Sequence, residues 1–103
     1  MSDLVETFAA LGDPVRFAIA ERLLNAGAQS AGQLQNVADI SAPAISRHLK
    51  VMRRAGLITQ TIDKQRRIYA VNPDALHRLN GWVLSHEEFW TASLDRLAKA
   101  LEE

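Results

Sequence analysis

A run of basic side chains between Ser41 and Gly56 has the residue types and the spacing to bind an anion. Its basic positions are Arg47, Lys50, Arg53 and Arg54. No Asp or Glu lies between Ala42 and Gly56, so this positive charge has no local compensation. Guanidinium groups bind phosphate oxygens and the edge of guanine, and ammonium groups bind phosphates as point charges. The run therefore predicts a surface that binds a phosphate-rich polyanion.

The same run predicts one helix, because its apolar residues recur on the opposite side. Ile45, Leu49 and Met52 follow each other at spacings of four and three, which places them on one helix face. Ser41 is suited to the N-cap, and Gly56 is suited to the left-handed position just past the last turn. We therefore expect a short helix with a buried apolar face and an exposed basic face.

The charges are unevenly distributed along the chain, although the formal net charge is zero. Seven basic residues and one acidic residue, Asp63, lie between Ser41 and Tyr69, which gives a local charge of +6. The rest of the chain holds five basic and eleven acidic residues, which gives −6. One cationic surface on a neutral protein is typical of a protein with a polyanion partner, and the alternative is a solvated charged face.

Two short helices are predicted on either side of a polar turn. Ser30 is suited to begin the first helix, and the turn at Asp39 to Ser41 leads into the basic run. Two helices joined by about four residues are typical of a helix-turn-helix, in which the second helix enters the major groove of DNA. The basic run then corresponds to the recognition helix.

Beyond Gly56 the apolar residues alternate, which predicts a β-hairpin with a basic tip. The polar turn is expected at Asp63 to Gln65, and the second strand is expected at Arg66 to Val71. The predicted inward contacts are Ile58, Ile62, Ile68 and Ala70. A basic hairpin after a helix-turn-helix is a wing, so the sequence predicts a mainly α winged helix-turn-helix fold with a minor β component.

The length of 103 residues predicts one domain, 1–103, because the chain is too short for two independent cores. The terminal segments 3–11 and 73–101 are predicted to be helical, with a break near Leu84 because Ser85 and Glu88 have capping-box spacing. Their apolar stripe needs a cover, which a second copy of the chain supplies; the alternative is that the last helix folds back on its own core. The predicted dimer interface consists of Leu4, Phe8, Trp82, Phe89, Trp90, Leu94, Leu97 and Leu101.

The composition argues against several classes of function. The chain has no cysteine, which excludes disulfides, thiolate catalysis and sulfur-ligated metals. No Ser-His-Asp or paired-carboxylate spacing is present, so we predict no catalytic residues, no enzyme activity and no cofactor. The lack of a leader and of an apolar run near 18 residues favours a cytoplasmic protein with no membrane partner.

Three segments, ALGDPVRFAIAERLL, SAPAISRHLKVMRRAGLI and RRIYAV, resemble the ArsR family of bacterial winged-helix repressors. The resemblance extends from Ala10 to about Leu101. It implies a homodimer with the element order α-α-α-α-β-β-α. It also implies that the dimer binds an operator near its own promoter and leaves DNA when an inducer binds.

The resemblance implies roles for individual residues of the recognition helix. Ser46 and Arg47 would read bases or nearby phosphates. Ala42 and Pro43 would lie at the groove edge, and His48 would lie at its margin. The basic residues of the helix end and of the hairpin are assigned to phosphates by their charge, and Lys50 is a further candidate for base contact. The full predicted DNA-binding set is Ala42, Pro43, Ser46, Arg47, His48, Lys50, Arg53, Arg54, Lys64, Gln65, Arg66 and Arg67.

Many members of the ArsR family sense metals, and this sequence departs from their patterns. The cysteine pair that such sensors place in the third helix falls on the region around Ser30 and Gly32, so that thiolate site is excluded. A second family site in the last helix uses Asp-x-His followed by a later His and a further His or Glu. The residues of that helix here are Asp74, His77, His86 and Glu87. Their spacing differs from the family pattern, so we predict no metal site.

The sequence therefore predicts a sequence-specific DNA-binding transcriptional regulator, a homodimeric repressor that binds an inverted-repeat operator. The alternative is a winged-helix interaction module whose basic face binds an acidic protein. The regulatory signal is either an organic ligand that binds near Trp82, Phe89 and Trp90 or, without such a ligand, the protein concentration alone. These aromatic residues fit a dimer core better than a ligand pocket.

Overall fold

The computed structural model describes residues 3–102, so the first two residues and the last of the predicted domain lie outside the described part. Within residues 3–102 the helices are α1 (Asp3–Leu11), α2 (Pro14–Ala26), α3 (Ala31–Leu34), a 3₁₀ turn (Gln35–Val37), α4 (Ala42–Arg54), α5 (Pro73–Ser85) and α6 (Glu87–Glu102). The strands of this part are β1 (Gln29–Ser30), β2 (Ile58–Asp63) and β3 (Arg66–Val71). The predicted mainly α winged helix-turn-helix fold is confirmed.

The recognition helix α4 begins and ends with the predicted caps. The hydroxyl of Ser41 accepts a hydrogen bond from the Ala44 N–H at 3.2 Å. Past the last turn, Gly56 has a φ of 77°, which a side chain would disfavour. The Leu57 N–H then donates to the Met52 carbonyl at 3.0 Å and closes the helix end. Both ends of the recognition helix α4 are thereby fixed by interactions with residues close to them in the sequence.

The apolar face of α4 lies at the centre of the core. Ile45, Leu49 and Met52 are at most 1% exposed, which confirms their predicted burial. They belong to one apolar cluster with residues from α2, α3 and the start of the hairpin. The other fully buried aliphatic residues of that cluster are Ile19, Leu34, Leu57 and Ile58. Each such side chain contributes roughly 1.5–3 kcal/mol on burial, so this cluster determines where α4 lies.

Helix α2 begins at an N-cap that also titrates. The Asp13 carboxylate accepts hydrogen bonds from the N–H groups of Arg16 at 3.0 Å and Val15 at 2.9 Å. The Arg16 hydrogen bond is the largest cause that lowers the pKa of Asp13 below its ordinary value. The Arg16 charge, the Val15 N–H and His48 act in the same direction, and partial desolvation opposes them. The charged form of this cap is therefore the stabilising one.

We expect stability to decrease in acid partly through Asp13. Its pKa is lower in the folded than in the unfolded chain, so its contribution is present above the unfolded pKa and is lost as the pH falls through the folded pKa. Asp13→Asn keeps a capping oxygen but cannot titrate, so its urea midpoint should depend less on pH below the ordinary range of aspartate. Urea unfolding of both proteins between neutral pH and pH 3 measures this. If the urea midpoints of the two proteins fell in parallel as the pH decreased, this expectation would be wrong.

The wing, which consists of β2, β3 and the Lys64–Gln65 turn between them, pairs with a third strand that the sequence does not signal. The strand order within the described part is β1-β3-β2, and both pairings are antiparallel. Strand β1 has only two residues, which is too short to show an alternating pattern. It pairs Ser30 with Ile68, so the start of the helix-turn-helix is hydrogen-bonded to the wing.

Three of the four predicted inward contacts of the wing are wrong, because Ile58 joins the apolar cluster and Ile62, Ile68 and Ala70 do not. Ile58 is 2% exposed, whereas Ile62 is 69% exposed. Residues that pair directly share a face of the sheet, and Ile62 pairs with Arg67 close to the turn, away from the apolar cluster. Ile68 lies half-buried on the opposite face, together with Ala70. The buried wing residue that the prediction missed is Tyr69, which is 6% exposed.

The last two helices confirm the predicted break and contradict the alternative in which the last helix folds back. Helix α5 ends at Ser85 and α6 begins at Glu87, close to the break predicted near Leu84. The predicted capping box does not form, because Ser85 is the last residue of α5 and its hydroxyl donates back to the Trp82 carbonyl at 2.8 Å. No described residue of α6 is buried, and the chain including this helix is elongated, with extents of 60 × 29 × 23 Å. Among the described helices, none combines the length and the apolar character that crossing a membrane requires.

Candidate nucleic-acid interface

The exposed side of α4 carries the polar and basic residues that were predicted to face DNA. The exposed members of that set on α4 are Ala42, Pro43, Ser46, Arg47, Lys50, Arg53 and Arg54. Arg47 is two positions from Ile45 and from Leu49, which places it nearly opposite the buried face. Ser46, Lys50 and Arg53 lie on the side that faces the wing, and Arg54 does not. The basic face is therefore divided between two surroundings.

A groove, here called the wing groove, lies between α4 and the wing. It encloses about 290 Å³ of open space, and its lining residues are Ser46, Leu49, Lys50, Arg53, Gln60, Arg67 and Tyr69. Three of these side chains are cationic, and none of the described lining residues is acidic. Cationic groups on the walls of a concave surface reinforce each other's potential. The groove therefore has the charge and the shape to hold an anionic segment.

Gln60 connects the two walls of this groove, although sequence reasoning did not assign it a role. It lies on β2 directly opposite Tyr69, and its side-chain oxygen accepts a hydrogen bond from the Arg53 guanidinium. Gln60 is two positions after the buried Ile58, and the strand period places it on the same face. That alternation is the signal that could have identified it.

The tip of the wing presents the other predicted phosphate contacts. Lys64, Gln65, Arg66 and Arg67 are all exposed. Lys64 has a φ of 61°, the left-handed conformation that a tight hairpin turn requires. Arg66 pairs in register with Asp63, and Arg67 pairs with Ile62 on the face that forms the wing groove. The tip therefore continues the cationic surface beyond α4.

His48 differs from the other predicted DNA-binding residues. Its ring is half-buried, and its Nδ1 atom lies 3.3 Å from a terminal nitrogen of Arg16 and 3.9 Å from an Asp13 oxygen. The Arg16 side chain also donates to the Ala10 carbonyl at 2.8 Å. His48 thus contacts the start of α2 and, through Arg16, the end of α1. The structure places it beside α2, away from the wing groove.

Arg54 also lies in different surroundings from Arg53. It borders a shallow groove of about 280 Å³ between α1 and α4. The other residues along this groove are Glu6, Ala9, Ala10, Arg16, Val51 and Ala55. Arg53 and Arg54, which the sequence could not distinguish, therefore lie in different grooves. Consecutive side chains of a helix point in directions about 100° apart around its axis.

The residues predicted for the dimer interface form an exposed apolar stripe on α1, α5 and α6. Phe8 packs edge-on against Trp82 with ring centroids 5.6 Å apart, and Phe89 packs edge-on against Trp90 at 5.3 Å. The exposed fractions of the larger members are Phe8 44%, Trp82 38%, Phe89 60%, Trp90 45%, Leu94 65%, Leu97 56% and Leu101 78%, and Leu4 is half-buried. So much exposed apolar surface on three helices is typical of an interaction site.

The histidines of α5 and its end do not assemble with the nearby carboxylates. Within residues 3–102 no group of three or more His, Asp or Glu side chains is placed to hold a metal ion. The ring of His86 contacts the Ser85 hydroxyl at 2.9 Å and the Trp82 carbonyl at 2.9 Å, and it packs against the Trp82 ring. His86 therefore has hydrogen-bond partners within its own helix end.

Known proteins match this chain in sequence and in fold. The family model described as a helix-turn-helix domain matches residues 11–61. The HTH-type transcriptional regulator Rv2034 of Mycobacterium tuberculosis is 36% identical over 93 residues, which are 90% of this chain and 83% of that protein. The transcriptional repressor SdpR of Bacillus subtilis is 33% identical over 78 residues, which are 76% of this chain and 86% of that protein.

A solved structure reproduces the arrangement of the elements. The crystal structure of an ArsR family transcriptional regulator has a TM-score of 0.75 at 25% identity, and the match covers 86% of this chain and 91% of that chain. The matched family model includes all of α4 and the start of the wing. The similarity therefore includes the segment that carries the basic face.

Proposed function

The chain belongs to the ArsR family of winged-helix, DNA-binding transcriptional regulators, and we propose that it is a homodimeric repressor that binds an inverted-repeat operator. The observation that carries the proposal is the continuous cationic surface made by the exposed face of α4, the wing groove and the wing tip. In this docking arrangement α4 enters the major groove of DNA and the wing follows the backbone.

The polar face of α4 supports a division between base readers and phosphate holders. Ser46 and Arg47 are exposed in the first half of α4, the half that makes most base contacts in helix-turn-helix proteins. Arg47 can form two hydrogen bonds with one guanine, which is worth about 1–3 kcal/mol of discrimination. Arg66 at the wing tip is suited to phosphates, which carry no sequence information directly. For His48, its contacts with α2 favour a role in holding α4 in place.

The apolar stripe supports the homodimer. A helix without buried residues is marginal in water unless its apolar side is covered, and α6 is such a helix. A second copy offers the same stripe in a two-fold arrangement, in which each subunit covers the other. Two recognition helices related by a two-fold axis read the same sequence in opposite directions, which accounts for an inverted repeat. The repressor activity is proposed from the relative that bears that description.

Selection of bound sequences from a random duplex pool tests the function. We expect the wild-type protein to enrich a palindromic sequence. Arg47→Ala is expected to relax the enriched sequence at one position in each half-site, because it removes a base contact worth about 1–3 kcal/mol. Arg66→Ala is expected to weaken all sequences alike and to reduce the slope of log affinity against log salt concentration by about 1.8, because the dimer loses two phosphate contacts worth about 0.9 each.

Two outcomes would contradict this proposal. If the wild-type protein enriched no palindrome, the repressor function would be wrong, and retention of an acidic protein in place of DNA would favour an interaction module. If Arg47→Ala and Arg66→Ala caused equal losses on every sequence, the division between base readers and phosphate holders would be wrong. Both variants change exposed residues, so circular dichroism should show an unchanged fold.

A further inference from the structure

We propose that the wing groove holds one phosphate of the DNA backbone and that Gln60 is the positioning residue that keeps Arg53 in place for it. This inference rests on the proposed function, because it assigns a DNA subsite and a residue within that function. The chemical class of the ligand is a phosphodiester. Gln60 is a neutral residue outside the predicted DNA-binding set, and its role follows from its contact with Arg53.

The charges of the groove favour a bound anion. Lys50 and Arg53 extend from α4 and Arg67 extends from β3, so three cationic groups border one concavity of about 290 Å³. No acidic side chain is present among the described residues that line it. Like charges that share a concave surface repel each other, and a bound anion removes this repulsion.

The hydrogen-bonding groups of Arg53 and Gln60 determine which of their atoms are in contact. A guanidinium group only donates hydrogen bonds, so the atom that Arg53 contacts must be the side-chain oxygen of Gln60. Arg53 keeps N–H groups that Gln60 does not use. These remaining donors, which Gln60 holds in place through its oxygen, match the acceptor oxygens of a phosphodiester.

The position of Gln60 on strand β2 allows it to restrain the Arg53 side chain. Gln60 pairs with Tyr69 in the middle of the hairpin, and Tyr69 is buried beneath the groove. An exposed arginine side chain loses rotamer freedom when it binds, and this loss reduces affinity. A partner on a rigid strand removes part of that loss before DNA arrives. Gln60 thus couples the wing to the recognition helix through one side chain.

The position of the wing groove shows which part of the DNA backbone it would hold. When α4 lies in the major groove and the wing lies over the neighbouring minor groove, one strand of the backbone separates the two. That strand must pass between α4 and the wing, where Lys50, Arg53 and Arg67 lie. The subsite is therefore occupied on every DNA sequence and contributes affinity without sequence preference.

A double-mutant cycle on the 103-residue protein tests the inference. Gln60→Ala is expected to weaken binding to the selected operator and to unrelated duplexes alike, by at least about tenfold for each subunit, as for loss of a hydrogen bond to a charged group. Arg53→Gln is expected to weaken binding further and to reduce the salt slope by about 1.8, because the dimer loses one phosphate contact in each subunit. Because Gln60 acts through Arg53, Gln60→Ala should add little once Arg53 is replaced.

Arg54→Gln is the matched control in this cycle, since it removes the same charge from the same helix outside the wing groove. Its effect is expected to add to that of Gln60→Ala. Thr61→Ala controls for changes in the strand, because Thr61 is exposed on the opposite face and should leave affinity unchanged. Gln60→Glu should weaken binding more than Gln60→Ala, because its carboxylate repels the phosphate and competes for Arg53.

Additive effects of Gln60→Ala and Arg53→Gln, or an unchanged affinity in Gln60→Ala, would overturn the inference. These outcomes differ from failure of the proposed function, in which the wild-type protein itself would bind no duplex selectively. Thermal unfolding of each variant shows whether a loss of affinity comes from loss of the fold. If Gln60→Ala is unstable, Gln60→Met keeps the length of the side chain, and the same cycle applies.

Discussion

Leu94→Glu is expected to convert the protein to a monomer and to reduce its affinity for the operator by at least about 100-fold, because the two half-sites would no longer be bound as one unit. Leu94 is 65% exposed in the single chain and lies within the apolar stripe of α6. In the proposed dimer a carboxylate at this position would lose its hydration without gaining a cation or a hydrogen-bond donor. Sedimentation equilibrium measures the mass, and titration of a labelled duplex measures the affinity.

Ala92→Glu is the matched control for Leu94→Glu. It adds the same charge to the same helix, but two positions earlier, which places it on the other side of α6. We expect this variant to remain dimeric and to bind the operator as the wild-type protein does, apart from a small change in long-range charge repulsion. A dimeric Leu94→Glu protein with wild-type affinity would place the interface on another surface.

Coupling between the proposed dimer and DNA binding would have a structural basis in α1. Phe8 of α1 packs against Trp82 of α5 within the stripe, and the Ala10 carbonyl near the end of α1 accepts a hydrogen bond from Arg16. Arg16 in turn contacts His48 of α4 at 3.3 Å. Burial of the stripe by a second subunit would therefore order the same helix that holds the recognition helix in place. We expect a monomeric variant to lose half of the contact surface and part of this order.

Local chemistry explains why much of this fold could be predicted from the sequence. Ser41, the predicted N-cap of α4, accepts a hydrogen bond from a residue three positions away, so the signal lies within one turn. The failure at Ile62 has a different cause. Alternation shows which face of a strand a residue occupies, but it does not show where the strand extends past the apolar cluster, and Ile62 lies beyond that point.

The candidate site could be predicted by residue type but not by arrangement. The arginines and lysines were recognisable by charge, and all of them are exposed. The different surroundings of Arg53 and Arg54 depend on the wing and on α1, which pack against opposite sides of α4. The orientation of His48 depends on Asp13 and Arg16, which lie more than 30 positions away in the sequence. No local pattern carries that information, because it arises from the packing of α2 on α4.

Leu49→Ala is expected to destabilise the protein by about 2–5 kcal/mol, because it leaves a cavity at the centre of the core. Leu49 is 1% exposed, and it also forms part of the floor of the wing groove. A domain of this size loses about 4–8 °C of Tm for each kcal/mol, so the Tm should fall by at least about 10 °C. Calorimetry at a fixed protein concentration measures this, since the Tm of a dimer depends on concentration.

Val51→Ala separates the core effect of Leu49→Ala from a general effect on the helix. Val51 lies two positions away on the same helix and is 42% exposed, so its truncation should change stability by less than about 1 kcal/mol. Below its Tm, Leu49→Ala should also bind DNA more weakly, because the cavity loosens the contact between α4 and the wing that places Arg53 beside Gln60. A Leu49→Ala protein that is less stable but keeps full affinity would show that α4 and the wing are positioned on DNA by the DNA itself, and the groove would then form only on binding.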